Sequence, residues 1–185
     1  MKFGIKTRLT TQPSTAYLST WMGRSPIESV QYFTISLANG VGQGTVTITS
    51  ADPNRSRLFW LGSHGTDNSG AEKVDDSISR VSFTNATTIT GDRGDTEEAC
   101  VIQGCVVTYR VGVIRSVQRG TISGATTATI NAVNVNKALP SYLGISVTDA
   151  TSLMGNWTLT NATTITSTQG DVSGVIQGYE IAEGW

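Results

Sequence analysis

Residues 84–90 read Thr84-Asn85-Ala86-Thr87-Thr88-Ile89-Thr90, and the same seven letters return as Thr160-Asn161-Ala162-Thr163-Thr164-Ile165-Thr166. β-Branched Thr and Ile favour extended backbone, whereas Asn tolerates a turn conformation and bonds its own backbone. The segment therefore reads as strand, corner, strand, made twice. Ile89 and Ile165 are expected in a core, and Asn85 and Asn161 at equivalent corners.

Further matches flank this one in the same order. Ile27-Glu28-Ser29-Val30-Gln31 pairs with Ile114-Arg115-Ser116-Val117-Gln118, and Leu61-Gly62 with Leu143-Gly144. Gly94-Asp95 pairs with Gly170-Asp171, and Val101-Ile102-Gln103-Gly104 with Val175-Ile176-Gln177-Gly178. The offset shrinks from 87 to 82, 76 and 74, so the first copy carries 5, 6 and 2 extra residues in its connections. Insertions belong in surface loops, which leaves a shared framework. The copies span residues 27–110 and 113–185, and their near-contact predicts a stiff tandem.

Strand signals fill both copies. Phe33, Ile35 and Leu37 alternate with Thr34 and Ser36; Val46 and Ile48 alternate with Thr45, Thr47 and Thr49. Period two with Thr on the opposite face marks half-buried strands. Asn39-Gly40, Asp52-Pro53-Asn54 and Gln169-Gly170-Asp171 supply turns. The expected fold is all-β: two tandem small antiparallel β-sandwich (Ig-like) domains with an N-terminal extended arm.

Composition agrees. The chain has 28 Thr and 19 Ser, and charged residues make up 15% against a usual ~25%. Enough Val, Ile and Leu are present to exclude disorder, and no apolar run approaches the ~20 residues of a spanning helix.

Residues 1–26 lie outside both copies. They hold Lys2, Lys6, Arg8 and Arg24 without an acid, a charge of +4, against −5 for the remainder. Phe3, Ile5, Leu9, Tyr17, Leu18, Trp21 and Met22 show no helical stripe. The expectation is an interaction arm, carried by Lys2, Lys6, Arg8, Trp21 and Arg24, that docks on a neighbouring subunit; packing on its own first domain is the alternative.

Candidate chemistry is sparse. No apolar signal core follows Met1, so a reducing compartment is expected. Cys100 and Cys105 stand five apart in one strand, on opposite faces, and are expected as free thiols. His64, just after a strand, has Ser63 beside it but no triad spacing, and reads as a loop histidine. Asp67–Asp76 is oxygen-rich without the alternation of a calcium loop. Arg93-Gly94-Asp95 shares only Gly-Asp with the second copy, which a turn explains. Asn85, Asn156 and Asn161 fit the glycosylation pattern, which has no meaning without secretion. No catalytic residue, cofactor, metal, nucleic-acid partner or membrane insertion is expected.

The string Ile114–Ile122, then Ala128-Thr129-Ile130, Ala138-Leu139, Leu143-Gly144, Leu159–Thr163 and Val175–Ile181, resembles small Thr-rich β modules of tailed-bacteriophage virion proteins. The resemblance covers the second copy well and the first in part, where Tyr32-Phe33 replaces Arg119-Gly120. It implies a non-enzymatic virion structural protein, made in the host bacterial cytoplasm, with other virion proteins as partners and present as a homo-oligomer or in many copies per particle. A tail- or fibre-associated adaptor or spacer is expected first. A capsid-surface decoration or head-fibre protein is the alternative, as is a carbohydrate-binding module for a host-surface glycan.

Overall fold

A computed structural model describes residues 25–66, 77–123, 126–148, 156–167 and 174–185. These form β1 (Ile27–Leu37), β2 (Gln43–Thr47), β3 (Ser56–Gly65), β4 (Arg80–Asn85), β5 (Thr88–Asp92) and β6 (Cys100–Tyr109), then β7 (Ile114–Ser123), β8 (Thr127–Thr129), β9 (Ala138–Val147), β10 (Trp157–Asn161), β11 (Thr164–Ser167) and β12 (Val175–Gly184). The described residues form an all-β architecture, with three antiparallel sheets ordered β1-β6-β3, β10-β11-β8 and β2-β5-β4-β9-β12-β7.

The second six strands pair as the first six do. β1-β6-β3 corresponds to β7-β12-β9, and β2-β5-β4 to β8-β11-β10. Individual bonds repeat as well. Gln31 accepts from the Thr49 amide and donates to its carbonyl, and Gln118 does the same with Asn131. The Asn85 carboxamide oxygen accepts from the Thr87 amide and hydroxyl; Asn161 accepts from both groups of Thr163. Thr84 bonds Thr90 through their hydroxyls, and Thr160 bonds Thr166. Ile89 and Ile165 are fully buried in separate cores. The seven shared residues are thus one corner used twice, with the same clasp, turn and plug.

One sequence match is out of step. Tyr109 donates to the Arg55 carbonyl as Gly184 does to Lys137, which sets Gly104 against Tyr179 rather than Gly178. The cause is an exchange of sizes across two strands. Phe33 faces Gly104 on β6, where a Cβ would lie 2.3 Å from the ring. In the second half the glycine, Gly120, is on β7 and the aromatic, Tyr179, is on β12. Total volume is kept while the residues change sides, a swap that cores tolerate.

The repeated Leu-Gly is a β-bulge. Register slips between Trp60 and Gly62 in the first half and opposite Gly178 in the second, with Gly62 at φ +126° and Gly144 at φ +94°. At Gly144 the bulge carries the junction of the halves. Arg80 pairs with Gly144, and the Ile145 amide donates to the Ser79 carbonyl at 3.1 Å, joining β4 to β9 in one six-stranded sheet. Leu143, 2% exposed, completes the core of Phe33, Ile35, Leu58, Val81 and Ile89. A Cβ on Gly144 would lie 2.2 Å from the Ser79 oxygen, whereas one on Gly62 would meet nothing within 4 Å. Both Gly→Ala changes carry backbone strain of about 1–3 kcal/mol. Gly144→Ala adds a main-chain clash and should be the more destabilising of the two in a denaturant titration. Equal losses would show that strain alone matters.

Both ends of the described body return to the link between the halves, residues 110–114. The Arg110 amide donates to the Pro26 carbonyl at 2.9 Å and its guanidinium to that of Ser25 at 3.0 Å. The Trp185 indole donates to the Ile114 carbonyl at 3.1 Å.

Candidate interaction surface

The halves are stapled by a buried carboxylate. Glu180 on β12 is fully buried in a row with Arg119 of β7 and Ser141 of β9. Its Oε2 accepts from Arg119 Nε at 2.8 Å and from the Leu58 amide at 3.0 Å; its Oε1 accepts from Arg57 Nε at 3.1 Å. Arg57 also donates to the Ser141 hydroxyl. Arg119 reaches the Pro53 carbonyl at 2.9 Å and the Ser56 carbonyl. Its guanidinium lies 4.6 Å from the Phe83 ring centroid. Burial lowers the Arg119 pKa from its ordinary value, and the Glu180 charge opposes that. Both oxygens of the Glu180 carboxylate are matched by donors, which is what a charge out of water requires.

A second carboxylate fixes the end of β12. Glu183 accepts from the Asn134 amide at 3.0 Å, Arg115 at 3.1 Å and the Ser116 hydroxyl at 3.3 Å. The Asn134 amide bond, ahead of the Arg115 charge, holds its carboxyl below the usual range. A carboxyl depressed by folding contributes stability that is complete above its unfolded pKa of about 4.3 and is lost as pH falls through the lower folded value. Glu183→Gln should therefore flatten the loss of stability below about pH 4. Thermal melts of both proteins from neutral to acid check this, and parallel acid limbs would contradict it.

The matching row of the first half is built differently. Tyr32, Cys105 and Phe59 occupy the positions of Arg119, Glu180 and Ser141. Tyr32 is 77% exposed, and Leu61 on the same sheet is 58% exposed. Val30 is exposed beside them. Charged residues thus stand where this face is covered, and apolar ones where it is open, which marks the β1-β6-β3 face as the candidate surface. Cys105 stands between Tyr32 and Phe59 in this row, and burial raises its thiol pKa, keeping it protonated. Cys100 faces the core, so the two free cysteines stand on opposite faces of β6.

The expected arm residues Lys2, Lys6, Arg8, Trp21 and Arg24 lie outside the described residues, as do the acidic segment 67–76 and Gln169-Gly170-Asp171. His64 is exposed and lies within β3 rather than after it. The Ser63 hydroxyl next to it donates to the Ser77 carbonyl, so the pair forms no relay. Arg93 is buried, donating to the carbonyls of Val41 at 3.1 Å and Ala38 at 3.0 Å. A Cβ on Gly94 would lie 2.0 Å from the Val147 oxygen, so Arg93-Gly94-Asp95 is folded into the junction. Among the described residues no group of three His, Cys, Asp or Glu could hold a metal ion. Arg57 and Glu180 carry the geometry without having been singled out by the sequence, and Tyr32, Arg119 and Leu61 stood out there only as repeat positions and not as site residues. No family model, curated protein or solved structure matches the chain.

Proposed function

We propose that the chain is a non-enzymatic structural protein of a tailed-bacteriophage virion, a tail- or fibre-associated adaptor or spacer held by protein–protein contacts. Each set of six strands is read as a small Ig-like sandwich, two in tandem behind a basic arm. The observation that carries the reading is the contrast between the two sheet faces. One is sealed on its neighbour by the Arg57–Glu180–Arg119 cluster, and the other leaves Tyr32 and Leu61 open. A module that repeats in series and keeps an apolar face suits a part that stacks on other proteins. Particles assembled with a gold-labelled chain provide the test. Label along the tail or fibre supports the reading, label on the capsid surface moves the chain to a decoration role, and absence from particles rejects both. Deleting residues 1–24 should abolish incorporation; normal occupancy without them would remove the arm from the anchoring role.

A further inference from the structure

The Leu-Gly bulge is used once and left open once. Leu143 enters the core of the first half beside Val81, and Gly144 receives Ser79 and Arg80 against its α-carbon. Leu61 and Gly62 have the same bulged position in β3, yet Leu61 is 58% exposed and nothing stands within 4 Å of a Cβ on Gly62. The receiving side is also present twice. Val81 and Phe83 of β4 border Leu143, and their repeat counterparts on β10 are Trp157 and Leu159. Beside β10 lies an open cleft of about 340 Å³, lined by Pro140, Ser141, Tyr142, Asn156 and Trp157, of which Asn156 and Trp157 correspond to the Arg80 and Val81 that border Leu143. Among the described residues β10 is an edge strand, paired on one side with β11. The Trp157 indole N–H is buried and makes no hydrogen bond among the described residues.

We propose that Leu61-Gly62 of one chain docks at the β9–β10 cleft of a second copy, making between chains the contact that Leu143-Gly144 makes within one. The occupant follows from the repeat. The chain contains a worked instance of this bulge against this kind of strand edge, and it displays the unfilled half of each. An exposed leucine on the same sheet as the exposed Tyr32, in a strand that pairs on one side only among the described residues, is a surface that gains from strand addition. The two partners in the contact are different patches, so it is heterologous and either closes into a ring or continues as a filament. The inference goes beyond the virion reading and does not depend on it, because the contact forms from the isolated chain.

Two substitutions at exposed positions separate the halves of the contact. Leu61→Glu removes the projecting leucine and leaves the cleft; Asn156→Trp obstructs the cleft mouth and leaves the leucine. In sedimentation velocity of the full chain, the wild type should associate as concentration rises. Each variant alone should associate about tenfold more weakly or less. An equimolar mixture of the two should recover dimers and nothing larger, since one intact leucine then meets one intact cleft. Unchanged melting temperatures show that both variants are folded. A wild type that stays monomeric overturns the proposal. So do a mixture that does not dimerise and a Leu61→Glu chain that still associates fully, the result expected if residues 1–24 cover this face instead.

Discussion

Replacing Glu180 by Ala is expected to lower stability by about 3–5 kcal/mol, the usual result of breaking a buried ion pair from one side. The carboxylate is fully buried and accepts from two guanidiniums and one amide. Its removal strands Arg57 and Arg119 beside each other without an anion. A denaturant titration gives the loss directly. The control is a triple change, Glu180→Leu with Arg57→Met and Arg119→Met, which removes all three charges. Coulomb attraction among buried ions is largely offset by their desolvation, so the triple variant should recover most of what the single one loses. A triple variant as unstable as Glu180→Ala would mean that packing, and not unpaired charge, sets the cost.

The other large effect is at the repeated corner. Ile89→Ala and Ile165→Ala should each cost about 2–5 kcal/mol, since both side chains are fully buried and leave cavities. Thr88→Ala and Thr164→Ala should cost far less, because both residues are half-buried. Unfolding should also distinguish the halves. Ile89 lies in the cluster that Leu143 completes, so its loss reaches across the junction, whereas Ile165 belongs to a cluster made by the second half alone. If the two isoleucines gave losses no larger than the threonines, the seven-residue identity would need a shared partner to explain it.

The corner was readable from the sequence because its determinants are local: an Asn two residues before the amide it caps, and Thr and Ile on alternating faces. The framework that the second half shares with the first was readable from the repeat too. The junction was not, because Arg57, Arg119 and Glu180 lie in three strands 62 and 61 residues apart and look like ordinary charges on wet faces. The register of β6 against β12 misled for a related reason. Val-Ile-Gln-Gly matches by letters, but what the sheet conserves is one aromatic opposite one glycine, and Phe33–Gly104 becomes Tyr179–Gly120. The Leu-Gly pair carried a usable signal, since glycine inside a strand pattern marks a bulge or a close approach. Which of the two bulges would be filled depends on contacts between halves, and no local pattern encodes those.

The bonds that hold Ser25 to Arg110 and Trp185 to Ile114 bring both ends of the body to one short stretch of chain. Arg110 and Ile114 are four residues apart, at most roughly 14 Å of extended backbone. Anything attached before Ser25 or after Trp185 therefore leaves from the same end, and the far tips of the strands stay clear of it. The whole body can be spliced into an exposed loop of another protein without prying that loop open. A circular permutant that links Trp185 to Ser25 through a short bridge, and opens at the Asn39-Gly40 turn, keeps every strand pairing intact.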